Sequence, residues 1–144
     1  MSRNYDLEKR LITFACKIIN IIERLPATRA GNYFAGQLIR AGNSPAFNYG
    51  EAQSAESRSD FIHKMRVVLK ELKECRTALT IVSIQKMIEP GDIVAEQLIE
   101  VEELIAIVAS SIKTAEENKA REEKKKRSSN LRGSVKESNS PPAP

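Results

Sequence analysis

The sequence is poor in aromatic residues and in the residue types that build metal and catalytic centres. Of its 144 residues only 5% are aromatic, none is tryptophan, His63 is the single histidine, and Cys16 and Cys75 are the two cysteines. Because these three residues do not stand at metal-ligand spacing, the sequence indicates neither a zinc cluster nor a Cys–His catalytic pair near His63. We expect both cysteines to be reduced thiols in the core of a cytoplasmic protein.

Long apolar runs and phosphate-binding loops are also missing. No stretch approaches the about 20 apolar residues that span a bilayer, and charged residues precede the first apolar run, unlike in a secretory signal. The segment AGNSPAFNYG at 41–50 lacks the Gly-Lys-Ser/Thr end of a phosphate loop. Asp60 and His63 supply only one of the two acid–histidine pairs of a di-iron bundle. We therefore expect a protein that is not an enzyme, has no cofactor or metal and does not span a membrane.

Charged residues are abundant, at 29% of the chain, and unevenly distributed. The net charge of +4 divides into +6 over residues 1–88, −7 over 89–118 and +5 over 119–144. The last block is nearly devoid of large apolar residues, so it cannot bury enough surface to offset the entropy of folding. We predict a globular domain at 1–118, since 41% hydrophobic residues suffice for a core, and a disordered basic tail at 119–144.

Within the predicted domain, apolar residues recur at helical spacing in four segments, and none alternates with the period of a strand. Thr28, Ser57 and Asp92 stand where the N-caps of the second, third and fourth helices are expected. Pro45 interrupts the second pattern, so that helix must kink or restart with Ser44 as its new N-cap. Because the connections are short, we predict an all-α fold, an antiparallel up-down-up-down four-helix bundle whose second helix is kinked at Pro45.

The helices contain more apolar residues than one packed seam needs. The seam positions are Leu7, Leu11, Phe14, Ile18, Ile22 and Leu25; Phe34, Leu38 and Ala41; Phe61, Met65, Val68, Leu72, Cys75, Leu79 and Val82; and Val94, Leu98, Val101, Ile105, Val108 and Ile112. Outside the seams lie Ile12, Ile19, Ile21, Ile81, Ile84, Ile88, Ile99, Leu104 and Ile107. The excess favours self-association, and scattered surface hydrophobes are the alternative interpretation.

A basic stripe is the clearest candidate binding surface. His63, Arg66, Lys70 and Lys73 fall on one face of the third helix, opposite its apolar seam. The tail adds a second basic cluster, Lys124, Lys125, Lys126 and Arg127. Both are typical of contacts to a phosphate backbone. Two alternatives remain: a solvated face compensated by Glu71 and Glu74, or a basic surface that pairs with the acidic fourth helix of another subunit.

Polar residues concentrate around Pro45. Arg40, Ser44, Asn48 and Glu51, together with Asn43, lie in an otherwise apolar part of the bundle. They form either a small pocket or, as we favour, a structural network that satisfies the backbone groups freed by Pro45 and fixes helix register. Gly36 and Gly42 lie in the same helical pattern and are expected to let helices approach closely.

Residues 37–74, QLIRAGNSPAFNYGEAQSAESRSDFIHKMRVVLKELKE, resemble the signature of the four-helix bundle proteins related to the 23S rRNA intervening-sequence proteins. The family pattern matches ESRSDFIHK and LKELKE in the third helix and, in the second, Gln37, Leu38, Arg40, Ala41, Ser44, Asn48 and Glu51. One departure is that Pro45 follows Ser44 directly, whereas many relatives place the proline one or two residues later. The resemblance implies a homopentamer and kinship with the accessory variability determinant of diversity-generating retroelements, which binds nucleic acid and a reverse transcriptase.

From the residues and the resemblance together, we expect a homo-oligomer, with five subunits implied by the family, that binds RNA or single-stranded DNA, or a nucleoprotein partner such as a reverse transcriptase. The predicted contacts are the third-helix stripe and the tail cluster. The alternative is a protein–protein scaffold whose tail only aids solubility. A small-molecule pocket at Pro45 is a third hypothesis.

Overall fold

Four helices form the computed structural model, which describes the backbone of residues 3–138 and the side chains of residues 7–134. They are α1 (Arg3–Arg24), α2 (Arg29–Gln53), α3 (Arg58–Ile84) and α4 (Asp92–Ser138). No strand occurs between residues 3 and 138, so the prediction of an all-α fold with four helices is confirmed. None of the described helices contains a stretch apolar enough, over sufficient length, to cross a membrane.

Two of the predicted N-caps fix where α2 and α3 begin. The Thr28 side chain accepts a hydrogen bond from the Gly31 amide at 3.0 Å, and Ser57 accepts one from the Asp60 amide at 3.1 Å. Each cap satisfies one of the amides that the first turn of a helix leaves without a carbonyl partner. Both caps were predicted from the sequence and are confirmed.

The core lies between all four helices. In the described residues, α1 packs beside α2 and α4, and α3 packs beside α2 and α4, so α1 lies diagonally across the core from α3 and α2 from α4. The predicted seam positions of α3 and α4 are buried, except Phe61 and Leu98, which are half-buried. On α1 the buried stripe ends at Ile21 rather than at Ile22. Burial of these seams is the main favourable contribution to folding.

α2 continues through Pro45 as one helix from Arg29 to Gln53, so the predicted restart at Ser44 does not occur. A proline lacks only one intrahelical hydrogen bond, and here Pro45 is itself buried against the core, where packing holds the helix together. Asn48 donates to the carbonyl and the hydroxyl of Ser44, whereas Asn43 donates to the Ile39 carbonyl. A bend at Pro45 stays a prediction.

Gly36 and Gly42, two of the four glycines of α2, differ in their surroundings. A Cβ on Gly42 would lie 2.6 Å from the Cγ2 atom of Ile18, so α1 and α2 approach closely at this position, as predicted. A Cβ on Gly36 would meet nothing within 4 Å. The prediction of a close approach is therefore confirmed at Gly42 and wrong at Gly36, which lies away from the packed face of α2.

Three residues assigned to surplus apolar faces belong to the core instead. Ile21, Ile88 and Leu104 are buried, and Ile107 is half-buried. Ile21, Leu104 and Ile107 widen the buried stripes of α1 and α4 because a bundle helix contacts two neighbours rather than one. Ile88 lies beyond the end of α3, in the connection to α4. The other surplus residues are exposed: Ile12, Ile19, Ile81, Ile84 and Ile99. Self-association therefore has a smaller apolar surface available than the sequence suggested.

The two cysteines have different surroundings. Cys75 is buried, whereas Cys16 is exposed, so the prediction that both are core thiols is wrong for Cys16. Cys16 follows Phe14 by two residues, which at about 100° per residue places it on the opposite side of α1. Burial, followed by the nearby charges of Glu71 and Glu74, raises the pKa of Cys75 to about 12.

The C-terminal part of α4 differs from the predicted disordered tail. The helix continues without interruption to Ser138, and residues 139–144 lie outside the described part of the chain. The last buried side chain on α4 among those described is Ala115, and all side chains from 120 to 134 are exposed. Alanine, glutamate, lysine and arginine, which predominate in AREEKKKR at 120–127, favour helix without tertiary contacts. We call residues 119–138 the α4 extension.

Candidate nucleic-acid interface

A groove of about 750 Å³ runs along the outer junction of α2 and α3. We call it the α2–α3 groove. α2 contributes Tyr33, Phe34, Gln37 and Ala41, and α3 contributes Arg66, Leu69, Lys70, Lys73, Glu74, Thr77, Ala78 and Ile81. Three of the four residues of the predicted basic stripe therefore line one concave surface, beside aromatic and aliphatic side chains.

The aromatic pair in the groove was not assigned to a site from the sequence. Tyr33 is 60% exposed, and its ring meets that of the half-buried Phe34 edge to face, with centroids 5.1 Å apart and an interplanar angle of 85°. Such a contact fixes one edge of a ring and leaves a face accessible. The adjacent aromatic residues in a chain with few aromatics are the sequence signal that could have drawn attention to this position.

Lys70 and Lys73 are exposed and available in the groove. Neither forms an ion pair within 4.0 Å with any side chain of residues 7–134. A flexible ammonium group that has no carboxylate partner can bind a phosphate without first losing an ion pair. These two lysines are the part of the predicted stripe that is best placed to bind an anionic ligand.

The other two stripe residues lie toward α4. Arg66 forms an ion pair with Glu116 of α4. His63 lines a separate depression of about 390 Å³ between α3 and α4, with Arg66, Glu116 and Lys119 among its neighbours. The structure thus divides the stripe: Lys70 and Lys73 face the groove, His63 faces the α3–α4 junction, and Arg66 borders both.

Most arginines that lie at helix junctions are neutralised by glutamates of α4. Arg10 of α1 pairs with Glu100 and Glu103. On α3, the arginine–glutamate pairs are Arg58–Glu122, Arg66–Glu116 and Arg76–Glu102. Four of the eight acidic residues at 89–118 therefore join α4 to its own chain, namely Glu100, Glu102, Glu103 and Glu116. At these four positions the structure favours an internal role over pairing with another subunit, the alternative that the sequence left open.

Arg40 of α2 crosses to two carboxylates of α3, Glu71 and Glu74, each at 3.3 Å. Glu71 is nearly buried, and this burial, with the adjacent Glu74 charge as the second cause, raises the pKa of Glu71 against the opposing effect of Arg40. Arg40 therefore holds together a pair of acids that would otherwise repel each other. Glu74 also lines the groove, so Arg40 offsets a negative charge on the surface that contains Lys70 and Lys73.

The polar residues around Pro45 do not form one network. Arg40 contacts α3 as described, Ser44 and Asn48 contact each other at 2.8 Å within α2, and Glu51 pairs with Lys64 of α3 at 2.6 Å. Two of the three contacts join α2 to α3, which agrees with a role in helix register. None of the recorded contacts reaches the carbonyl of Ala41, the group that lacks a donor because of Pro45.

The tail cluster is distant from the groove. Lys124, Lys125, Lys126 and Arg127 are exposed on the α4 extension. Because Arg66 is level with Glu116 and Arg76 with Glu102, Lys70 is level with α4 residues near 110. At 1.5 Å per residue, the cluster lies about 20–25 Å further along the bundle axis. The structure therefore separates the two parts of the predicted basic site within one chain.

The described side chains form no cluster of potential metal ligands. Across residues 7–134, no three histidine, cysteine, aspartate or glutamate side chains converge as metal ligands do. What the groove offers is a concave surface with free ammonium groups, an accessible aromatic face and the polar groups of Gln37 and Thr77. This combination suits binding of an extended anionic ligand.

Comparison with known proteins agrees with the resemblance found in residues 37–74. A family model described as 23S rRNA-intervening sequence protein matches residues 3–110. A crystal structure from Bacteroides thetaiotaomicron, described as a protein of unknown function from the S23 ribosomal protein family, is similar with a TM-score of 0.70 and 26% identity. The similarity covers 78% of this chain and 99% of that chain. Among curated proteins, no sequence matches this one.

Proposed function

The chain belongs to the 23S rRNA-intervening sequence protein family, and on that premise we propose that it is a non-enzymatic, homo-oligomeric protein that binds nucleic acid. RNA is the first candidate, and a nucleoprotein partner such as one containing a reverse transcriptase is the second. The proposal places the protein in the cytoplasm. The observation that supports it most is the presence of two unpaired lysines, Lys70 and Lys73, in the α2–α3 groove.

The contrast between lysines and arginines supports this assignment. Arginines at the helix junctions form ion pairs that join helices, whereas the groove lysines have no such partner. Lys70 and Lys73 also line the same concave surface as the exposed Tyr33, which the exposed Lys9 and Lys17 of α1 do not. A basic surface interleaved with aromatic rings is typical of nucleic-acid binding.

The α4 extension provides the second proposed contact. Lys124, Lys125, Lys126 and Arg127 project from the bundle where no described side chain neutralises them. Several extensions on one oligomer would act on the same polymer and increase its affinity through effective concentration. His63 and Arg66 are proposed as flanking contacts between the groove and the extension.

The proposed bundle is antiparallel, with up-down-up-down topology. Ion pairs support this arrangement, because residue numbers rise along α3 as they fall along α4 in Arg58–Glu122, Arg66–Glu116 and Arg76–Glu102. The same order holds between α2 and α3 in Arg40–Glu71 and Glu51–Lys64. The kink at Pro45 belongs to the same proposal.

We further propose that five chains assemble, as the resemblance implies. Exposed isoleucines on three helices, such as Ile12, Ile84 and Ile99, supply apolar surface for contacts between subunits. Size-exclusion chromatography with multi-angle light scattering should give about five times the 16.1 kDa mass of one chain. A monomer at micromolar concentration would exclude the assembly, and a mass of four or six chains would correct its number.

The binding proposal is tested with the full-length protein and structured RNA or single-stranded DNA. We expect a complex whose affinity falls steeply as salt rises, because phosphate contacts release counterions. The double variant Lys70→Gln/Lys73→Gln should bind weakly. The matched control Lys9→Gln/Lys17→Gln removes the same charge from exposed positions on α1 that do not line the groove, and should bind like the wild type. No salt-dependent retention of either polymer would refute the proposal.

A protein–protein scaffold is the second candidate. Two exposed apolar side chains of α2, Ile39 and Phe47, favour it, and Phe47 is 74% exposed. In that case Ile39→Ser/Phe47→Ser should abolish partner binding, while deletion of residues 120–144 and treatment with nuclease should leave it intact. Loss of the partner on nuclease treatment would favour the nucleic-acid proposal instead.

A further inference from the structure

We infer that the α2–α3 groove binds unpaired nucleotides, with one base stacked on Tyr33 and phosphates a few nucleotides further along the chain bound by Lys73 and Lys70. The inference rests on the proposed function and specifies its ligand: a single-stranded stretch of polynucleotide rather than a duplex. RNA loops and single-stranded DNA share this chemistry, and the test distinguishes them.

Tyr33 is the residue that requires an unpaired base. Its ring is 60% exposed, while Phe34 holds its orientation through the edge-to-face contact at 5.1 Å. An exposed aromatic ring that is already held in place gains stacking energy with little loss of rotamer freedom. Inside a duplex the faces of the bases are covered by neighbouring base pairs, so only an unstacked base can contact this ring.

From Tyr33, the groove extends far enough to hold a short length of single-stranded nucleic acid. The ion pairs of Arg40 with Glu71 and Glu74 place these residues at the same height along the bundle axis. Because Tyr33 precedes Arg40 by seven residues on α2, it lies at the height of the end of the groove near Ile81 of α3. From there to Lys73 and Lys70 the distance along α3 is about 12–17 Å, at 1.5 Å per residue. This length suits a run of a few nucleotides.

The charges along this path favour an anionic backbone. Among the described side chains neither Lys73 nor Lys70 forms an ion pair within 4.0 Å, although the charge of Lys70 acts on Glu71. The acid that lines the groove, Glu74, is held by Arg40 at 3.3 Å. Thr77 and Gln37 lie between the lysines and Tyr33 and offer hydrogen-bonding groups to base edges. Along the groove, the aromatic ring is placed to stack on a base, the polar side chains to bind base edges and the lysines to bind phosphates.

Fluorescence anisotropy of short labelled oligonucleotides tests the inference with the full chain. The probes are an unstructured uridine-rich RNA, the thymidine-rich DNA of the same length, and a duplex of that length. Because base–aromatic stacking is lost, Tyr33→Ala should weaken binding to single strands about five- to a hundredfold, and Tyr33→Phe should restore it. Duplex binding should change little in either variant.

Phe47→Ala is the matched control, since it removes a similarly exposed aromatic ring from the same helix at a position outside the groove. It should bind both probes like the wild type. If RNA and DNA single strands respond alike to Tyr33→Ala, stacking is the shared determinant. If only RNA responds, the groove also reads the 2′-hydroxyl.

A second readout comes from Tyr33→Trp, because the natural chain has no tryptophan. The fluorescence of this single indole should be quenched by the single-stranded probes and not by the duplex. The inference is overturned if Tyr33→Ala binds single strands normally and the indole of Tyr33→Trp does not respond, while Lys70→Gln/Lys73→Gln still loses affinity. In that outcome the proposed function remains. If the wild type binds none of the probes, both fail.

Discussion

Helix α4 is one continuous helix of 47 residues with two unlike halves. As far as Ala115 it contributes buried side chains to the core, and its glutamates pair with arginines of α1 and α3. From residue 120 onward every described side chain is exposed, and the charges are mainly basic. The first half is held by tertiary contacts, and the second mainly by helix propensity.

In this protein, packing decides which charged side chains form structural contacts and which remain able to bind a ligand. Helix content and net charge do not decide this. The arginines and glutamates that lie at helix junctions pair with each other across those junctions, as in Arg10–Glu103 and Arg76–Glu102. Lysines remain unpaired in the groove and on the extension.

The largest effect is expected for truncation of a buried leucine in the first half of α4. Leu104 is fully buried, and Leu104→Ala should lower the free energy of unfolding by about 2–5 kcal/mol because it leaves a cavity. Leu131→Ala, on the extension at 72% exposure, should change it by less than about 0.5 kcal/mol. Urea denaturation followed by circular dichroism measures both, and equal effects would contradict the division of α4.

Alanine substitution should change the free energy of unfolding in opposite directions at Gly42 and Gly36 of α2. At Gly42 the new Cβ would overlap Ile18, which is itself fully buried and cannot move aside. Overpacking of this kind costs about 1–3 kcal/mol. Gly36→Ala should instead stabilise the protein by about 0.5–1 kcal/mol, because the position is open and alanine favours helix. Stabilisation by both variants in thermal denaturation would show that α1 and α2 are further apart.

The next effect concerns the buried carboxylate of Glu71. Because burial raises its pKa above the usual 4.5, the charged form destabilises the fold at neutral pH, and this cost disappears as pH falls through the raised pKa toward 4.5. Glu71→Gln should therefore be at least as stable as the wild type at neutral pH, by a margin smaller than the effect of Gly42→Ala. The margin should shrink on acidification, whereas a margin independent of pH would contradict the burial.

Removal of residues 120–144 should have the smallest effect on stability. No described side chain in this segment is buried, so the melting temperature should stay within error of the full-length value. Affinity for RNA should nevertheless fall, and the slope of log affinity against log salt should decrease by up to about 3 if all four residues of the tail cluster contact phosphates. A lower melting temperature with unchanged RNA affinity would contradict this proposal, because the extension would then stabilise the fold and not bind RNA.

Sequence patterns predicted the elements that depend on local chemistry. The caps at Thr28 and Ser57 follow from the hydrogen-bonding side chains of these residues. The seams of α3 and α4 follow from the helical period of the apolar residues, which the sequence contains. The burial of Ile21 and Leu104 in the core was not predicted, because burial on a second face of a helix depends on which helices are its neighbours. Continuity of α2 through Pro45 likewise reflects packing that local propensity does not contain.

Part of the candidate site was also visible in the sequence. Helical spacing placed Lys70 and Lys73 on one face, and both line the groove. The pairing of Arg66 with Glu116 could not be predicted, since the two residues are 50 positions apart and their contact depends on the register of α3 against α4. The same holds for Tyr33, whose position opposite α3 follows from the register of α2.

The central claim is that the unpaired lysines of the α2–α3 groove bind phosphates. It is tested most directly by the salt dependence of RNA affinity for Lys70→Gln/Lys73→Gln against the charge-matched Lys9→Gln/Lys17→Gln. The account predicts that the slope for single-stranded RNA falls by about 0.7 for each groove lysine removed and stays at the wild-type value in the α1 control. Equal slopes in the two double variants would contradict it.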